Sequence, residues 1–511
     1  MIYRRFRSYS QLIPLVVSLF GTHFLEDPND LFLKVSQKLR RSGIPFPALR
    51  LPTPSHLGEL LYERGQLSLS ALEFERNGMR GRAKARKIRR QVTELNLPIL
   101  ESKPLGDEDC ASNVLFYLNN SKPFTQSGYT ERSHFILKAL KEQGMHVRAV
   151  TRLGYPVVIG AFPRKRALTI DGIEYVQMLP ALLPKRKVQQ IELAVQMLVD
   201  EARRFDAEIL HTTTDFKNAI VVSRAAHVLE IPWIYETRGE LHKTWLSKRN
   251  PGIQELAVHS EFFLASQERE LEAMEKSAAL VQLSEVSKRQ STSHGISASK
   301  IHIVPNAVSE SELGRSFTKS EIREELGLSG CKTLVGTITS IVQYEGLDDL
   351  IKAIKLLPEA KCIIVGEGET KPTLERLVHE LGLEERVRFV GKQPTATIWK
   401  WYSALDIFVI PRKNQEVCRS VTPIKTLMAQ ANGVPVVSSD LPALREVTGN
   451  RAVYFPAEKP EELAKALKLV INTKPDIVRT QSNLARQWVR TKTWQANAEK
   501  LISVYRNSGS N

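Results

Sequence analysis

Short apolar runs rich in Val, Ile and Phe recur along the chain, spaced so that a helix fits between each pair. A first set covers 113–118 (NVLFYL), 147–150 (VRAV), 208–211 (EILH), 231–235 (IPWIY), 280–284 (LVQLS) and 301–306 (IHIVPN). A second set covers 332–338 (KTLVGTI), 361–366 (KCIIVG), 386–391 (RVRFVG), 407–410 (IFVI) and 434–437 (VPVV). Runs this short, apolar without alternation and bounded by turn residues, predict parallel strands buried on both faces. Helical stretches separate them and stop at glycines, at Gly144 in the first set and Gly433 in the second. The pattern is βαβ repeated, and it predicts two consecutive Rossmann-like α/β domains facing across a cleft. We place them at 110–295 and 296–480. A last helix over 481–511 has Trp488, Trp494, Leu501 and Tyr505 as packing anchors.

Residues 1–105 read differently, as a helical N-terminal extension. One helix is predicted to start at Pro28, to carry Phe32, Val35 and Leu39 on its apolar face, and to stop at Gly43. The stretch 104–109 reads as a linker. The run 12–21 (LIPLVVSLFG) follows Arg4, Arg5 and Arg7, but Pro14 interrupts it, and His23, Glu26 and Asp27 follow in place of a small-residue cleavage site. It is expected to be a buried element, with an interfacial anchor as the alternative. No apolar run is long enough to span a bilayer.

A length of 511 residues exceeds what one core supports, and 42% hydrophobic with 25% charged residues excludes a disordered chain. Cys110, Cys331, Cys362 and Cys418 are scattered, so neither a disulfide framework nor a zinc site is indicated, and a reducing cytoplasm fits. The net charge of +16 implies an acidic partner. Part of it is concentrated in Arg80, Arg82, Lys84, Arg86, Lys87, Arg89 and Arg90. That segment reads as a solvated helix face or as a contact with anionic lipid headgroups at the inner face of a membrane. Nucleic acid is not expected, because no aromatic residues interleave and no reader motif is present.

Candidate chemistry lies at strand ends. In 406–447 a strand ends at Pro411 and Arg412 follows it, at the carboxyl edge where α/β sheets bind ligands. Thr422 and Pro423 read as N-cap and first residue of the next helix. Lys425 falls in its first turn, where a cation is unfavourable by about 0.3–1 kcal/mol unless an anion is bound. With Arg419 in the same loop, the pattern outlines a phosphate site; a solvated loop with surface charges is the competing reading. In the first domain His211, Glu236 and Arg238 all sit at strand carboxyl ends and suggest a cleft wall. Gly128, in the loop after the first strand, lets backbone approach a ligand. The G-x-G-x-x-G dinucleotide fingerprint is missing.

From residue 113 to 505 the chain resembles retaining glycosyltransferases of GT-B architecture, of the family 4 type. The resemblance rests on VPNAV (304–308), VGTITSIVQYEGLDDLIKAI (335–354), IVGEGE (364–369), VRFVGKQP (387–394), IWKWYSALDIFVIPR (398–412) and TPIKTLMAQANGVPVVSSDLPALREV (422–447), in that order. SGYTERSH (127–134), TRLGYP (151–156) and IPWIYETRGE (231–240) resemble a bacterial subgroup that builds surface polysaccharide or glycolipid. The resemblance implies transfer of a sugar from a nucleotide-diphosphate donor to a hydroxyl of a glycan or glycolipid, with retention of configuration, no cofactor and no obligatory metal. The donor would sit in the C-terminal domain, with Arg412, Arg419, Thr422 and Lys425 at its phosphates. Gly336 and Gly366 would allow close backbone approach, and Gly391 and Lys392 would face the base. Gly128 would line the acceptor side together with His211, Glu236 and Arg238, these last three being the candidate catalytic residues. The chain departs from the family at Ser420 and Met428, where two glutamates with seven residues between them are usual; Glu416 is out of register. It departs again at Thr337 and Glu345, where an Arg and a Lys are usual. These departures motivate an alternative, a catalytically impaired GT-B protein that regulates or joins a complex in glycan assembly.

Overall fold

The structure, a computed structural model, describes residues 12–27, 52–106, 112–313 and 318–506, together with positions 29, 31, 32 and 36. The helix read over 28–43 and the end of the linker read at 104–109 lie largely outside the described residues. The chain divides into two compact units, Met1–Val281 with Ser503–Asn511, and Gln282–Ile502. The break thus falls inside a strand rather than at 295, and 481–511 is shared between the units rather than standing alone.

The first unit holds β1 (Asn113–Leu118), β2 (His146–Thr151), β3 (Ala167–Ile170), β4 (Ile173–Val176), β5 (Ile209–Thr213), β6 (Trp233–Thr237) and β7 (Ala279–Gln282). Their order within an eight-stranded sheet is β3-β4-β2-β1-β5-β6-β7. β1 pairs in parallel with β2 and β5, and β5 with β6. The hairpin β3–β4 is antiparallel and was not foreseen. Its signal was present: Asp171-Gly172, both at positive φ, between two alternating segments. The helical extension is part of this unit. Glu94, in the helix Gly78–Leu95, pairs with Lys187 at 2.5 Å. Further along, Ser102 N donates to Lys276 O, and Trp233 N donates to Ser102 Oγ at 2.9 Å. The helix Ile13–Glu26 buries Leu15, but Ile13 and Val17 are 57% and 64% exposed, so the expected buried element is one-sided. Among the described residues no helix is long and apolar enough to cross a membrane.

The second unit begins at Gln282 and contains β8 (Ile301–Ile303), β9 (Thr333–Ile338), β10 (Ala360–Val365), β11 (Val387–Gly391), β12 (Ile407–Ile410), β13 (Val436–Ser439) and β14 (Val453–Phe455). The last six form one sheet in the order β11-β10-β9-β12-β13-β14, parallel at every pair. Successive residues enter opposite faces. Leu334, Ile363 and Phe408 join a core with Leu427 and Leu444, while Val335, Ile364 and Val409 join another with Leu350, Ile354 and Leu467. Both faces are therefore covered, which explains the unbroken apolar runs. β13 starts two residues later than read because Pro435 has no N–H for the ladder; its carbonyl still accepts from Phe408 N at 2.9 Å.

Candidate functional site

In the second sheet β9 lies between β10 and β12, so the chain order reverses beside it. Such a switch point opens a crevice at the strand carboxyl ends. The loops after β9 and β12 meet there. Gly346 makes the approach possible: its φ is 69°, and a Cβ would stand 1.8 Å from Pro411 O. Lys413 N donates to Tyr344 O at 2.9 Å and fastens the two loops. Glu345 is thereby placed beside Arg412. Arg412 Nη2 donates to Glu345 Oε1 at 3.0 Å, and Lys425 Nζ donates to Glu345 Oε2 at 2.8 Å. Lys425 Nζ also donates to Thr339 Oγ1, and Arg412 Nη1 to Val421 O at 2.9 Å.

The anion that the position of Lys425 calls for is supplied by the chain itself. Arg412 and Glu345 are both buried. Burial alone would raise the Glu345 carboxyl, but Arg412 and Lys425 bring it down to about 2. Burial, with Arg412 beside it, lowers Lys425 to about 8 against the pull of Glu345. Arg412 moves up because Glu345 outweighs its desolvation. Two cations against one carboxylate leave the cluster with one surplus positive charge, at the start of the helix Ile424–Ala431.

The N-cap of that helix is Pro423, not Thr422. Pro423 is itself extended, with ψ 131°, so the first helical residue is Ile424. Thr422 Oγ1 is buried without a hydrogen-bond partner among the described residues, as is Arg412 Nε. Arg419 lies in a short helix, Glu416–Ser420, exposed and bonded to Asn414 Oδ1 at 3.0 Å. Gly336 serves packing: a Cβ there would stand 2.7 Å from Ile363 O and 2.8 Å from Leu405 Cδ2. Gly366 lies against the backbone of Thr339, 1.8 Å from where its Cβ would be, and its N–H donates to Gly391 O at 3.0 Å. Lys392 is exposed. Thr337 lies within β9 and is buried, rather than in the loop after it. Ser420 Oγ donates to Glu416 O, and Met428 packs against the core.

The first unit has its own switch point at β1, between β2 and β5. A cavity of about 240 Å³ opens there, lined among others by Asn119, Tyr129, Thr214, Arg238 and Glu240. Behind it is a buried charge cluster. Glu236 Oε1 accepts from Arg132 Nη2 at 2.6 Å and from Arg132 Nε at 2.7 Å. Glu236 Oε2 accepts from Arg238 Nη2 at 2.5 Å, and Arg238 Nη1 also donates to Ser133 Oγ and Tyr129 O. His211 is stacked on Phe116 at 4.4 Å, its Nδ1 is 2.8 Å from Tyr505 Oη, and its Nε2 is 3.6 Å from Glu236 Oε2. Burial works to raise Glu236, but Arg132 and Arg238 hold it well below the usual carboxylate range. Burial lowers His211, leaving a neutral ring. The three residues read from the sequence are thus brought together, but only Arg238 reaches the cavity. Arg132 was missed. It stands four and eight residues before Ile136 and Leu140, on the buried face of the helix Gly128–Glu142, a spacing that would have flagged it. Gly128 opens that helix, exposed, with nothing within 4 Å of where a Cβ would be.

Residues 127–307 match the family model described as Glycosyl transferase 4-like domain, and 318–504 match that of Glycosyl transferases group 1. The two matches fall on the two Rossmann-like domains of a GT-B fold. The D-inositol 3-phosphate glycosyltransferase of Corynebacterium glutamicum (strain R) is 26% identical over 210 residues, 39% of this chain and 49% of that protein. The lipopolysaccharide core biosynthesis mannosyltransferase LpsB of Rhizobium meliloti (strain 1021) is 28% identical over 203 residues, 37% of this chain and 56% of that one. The chain spans about half the length of the curated relatives it matches. Among solved structures, Anabaena HepE in complex with UDP superposes with a TM-score of 0.60 at 16% identity, covering 77% of this chain and all (100%) of HepE. WaaG, a glycosyltransferase involved in lipopolysaccharide biosynthesis, superposes with a TM-score of 0.57 at 17% identity, over 78% of this chain and 100% of WaaG. These likenesses establish the fold.

Proposed function

We propose that the protein transfers a sugar from a nucleotide-diphosphate donor to a hydroxyl of a glycan or glycolipid, with retention of configuration and with no obligatory metal or other cofactor. The observation that carries this reading is the pair of buried Arg412 and half-buried Lys425, at a switch point and at an uncapped helix start. A departing nucleoside diphosphate gathers negative charge, and preorganised donors in a water-poor site stabilise it. Arg412 and Lys425 supply two charges, and Thr422 Oγ1 a further donor. On the acceptor side, Arg238 is the residue placed to touch substrate, with Glu236, Arg132 and His211 positioning it. UDP in HepE supports a nucleotide donor, the inositol phosphate and mannosyltransferase relatives support sugar transfer, and the lipopolysaccharide core function of LpsB supports a glycan or glycolipid acceptor. Ser420 and Met428, neither of which offers a carboxylate, and Glu345 favour the alternative of an impaired member. Purified protein incubated with UDP-, GDP- and ADP-sugars decides between them. Turnover with one donor is expected; nucleotide binding without turnover on any of them selects the alternative.

The proposed acceptor chemistry includes contact with an anionic membrane surface. Several of the basic residues read at Arg80–Arg90 are in fact neutralised: Lys84 pairs with Glu59, Lys87 with Asp27 and Arg89 with Glu75. Arg86 is exposed and lines a cleft of about 850 Å³ with Arg90, Lys185 and Arg186. Leu182, 61% exposed, and the exposed Ile13 and Val17 lie close by, since Ser18 Oγ reaches Leu183 O at 3.5 Å. Each basic residue near an anionic surface adds about 1 kcal/mol. The triple variant Arg86→Gln, Lys185→Gln, Arg186→Gln is therefore expected to bind phosphatidylglycerol vesicles about 100-fold more weakly in flotation assays. Equal flotation of variant and wild type would remove the membrane contact.

A further inference from the structure

We infer that Glu345 is a resident stand-in for the donor's phosphate, holding Arg412 and Lys425 in place while the site is empty and giving up Lys425 to an incoming diphosphate. This rests on the donor-binding reading of the same residues. The placement is built rather than incidental. Gly346 tolerates contact with Pro411 O that no side chain would, and the Tyr344–Lys413 backbone bond holds the loop down. The carboxylate is 4% exposed and divides its oxygens, Oε1 to Arg412 and Oε2 to Lys425, as two phosphate oxygens would. It leaves donors unused. Arg412 Nε and Thr422 Oγ1 are buried without partners among the described residues, and a phosphate has acceptors to spare for both.

Two consequences follow. A buried carboxylate keeps two like charges from repelling one another out of position before the donor arrives. The same carboxylate opposes any anion that takes its place, so it weakens diphosphate binding while leaving an uncharged nucleoside unaffected. Glu345 then holds the empty site in order and tunes donor affinity, and the family's usual basic residue at this position is replaced by one of opposite sign that performs a different task.

The test is calorimetry on wild type and Glu345→Gln with UDP, GDP and ADP and with the matching nucleosides. For the nucleoside diphosphate that wild type binds, Glu345→Gln is expected to bind about tenfold tighter, with nucleoside affinity unchanged. Equal or weaker diphosphate binding by a folded Glu345→Gln overturns the inference and leaves the glycosyl-transfer reading intact. Binding by the variant alone supports it. Absence of binding by both removes the donor-site reading and the inference together. Should the variant not fold, wild type crystallised with UDP decides. The Lys425 Nζ–Glu345 Oε2 separation, 2.8 Å here, is expected to open beyond hydrogen-bond reach, and a carboxylate still bound to Lys425 overturns the inference.

Discussion

Lys425→Ala is expected to lower kcat/KM for sugar transfer by about 10²–10³-fold, the usual effect of removing one charge stabiliser from a site where negative charge develops. The loss should fall on kcat as well as KM, because a leaving diphosphate carries more charge in the transition state than in the ground state. A pH profile separates this role from a structural one. The ammonium of Lys425 sits at about 8, lowered first by burial and then by Arg412. Activity that needs the charged form is therefore expected to fall as pH rises through 8, and Lys425→Ala should lose that limb. Stability moves the other way. A lysine whose folded value lies below its ordinary 10.5 makes the fold bear a penalty below 8, and this is relieved between 8 and 10.5 as the unfolded chain alone retains the proton. Glu345 has the ordinary sign for a paired carboxylate. Its contribution is complete above 4.5 and is lost as pH falls towards 2. Wild-type kcat/KM retained by Lys425→Ala across this range would end the assignment of the donor site.

Arg412 and Lys425 were legible in the sequence because each is located by its own neighbours, one by the strand it follows and the other by the helix start it enters. Their partner was not. Glu345 lies 67 residues from Arg412, and its position depends on β9 pairing with β12, a long-range register that no local pattern encodes. What the sequence did show was that residue 345 breaks a family pattern, and the structure gives that break a physical partner. Gly336 illustrates the opposite error. A glycine in a ligand-binding motif invites the reading that a ligand approaches it, whereas here the neighbouring strand's carbonyl and Leu405 occupy that space. His211, Glu236 and Arg238 were found because strand carboxyl ends share one edge of a parallel sheet. Arg132 escaped because a charged residue in a helix is read as solvent-facing, although its spacing to Ile136 and Leu140 places it inside.

Glu236→Ala is expected to destabilise the first unit by about 3–5 kcal/mol, since it removes the carboxylate that Arg132 and Arg238 share and leaves two guanidinium groups buried. Urea unfolding of the variant should show a lower midpoint with little change in slope. The same interaction has a pH signature. Glu236 is held well below 4.5, so its stabilising effect is complete above 4.5 and disappears as pH falls below it; the variant's stability should be flatter in acid. Combining Glu236→Ala with Arg132→Met should recover part of the loss, because a buried ion pair replaced on both sides by apolar groups is often neutral. Arg238 would keep Ser133 Oγ and Tyr129 O as acceptors. Activity separates positioning from direct chemistry. If Glu236 acts through Arg238, the double variant recovers stability but still binds acceptor weakly, and the loss appears in KM. If Glu236 itself takes part in proton transfer, stability returns while kcat remains at the level of the single variant. The cavity's lining includes Arg238 and not Glu236, which makes the first of these the expected result.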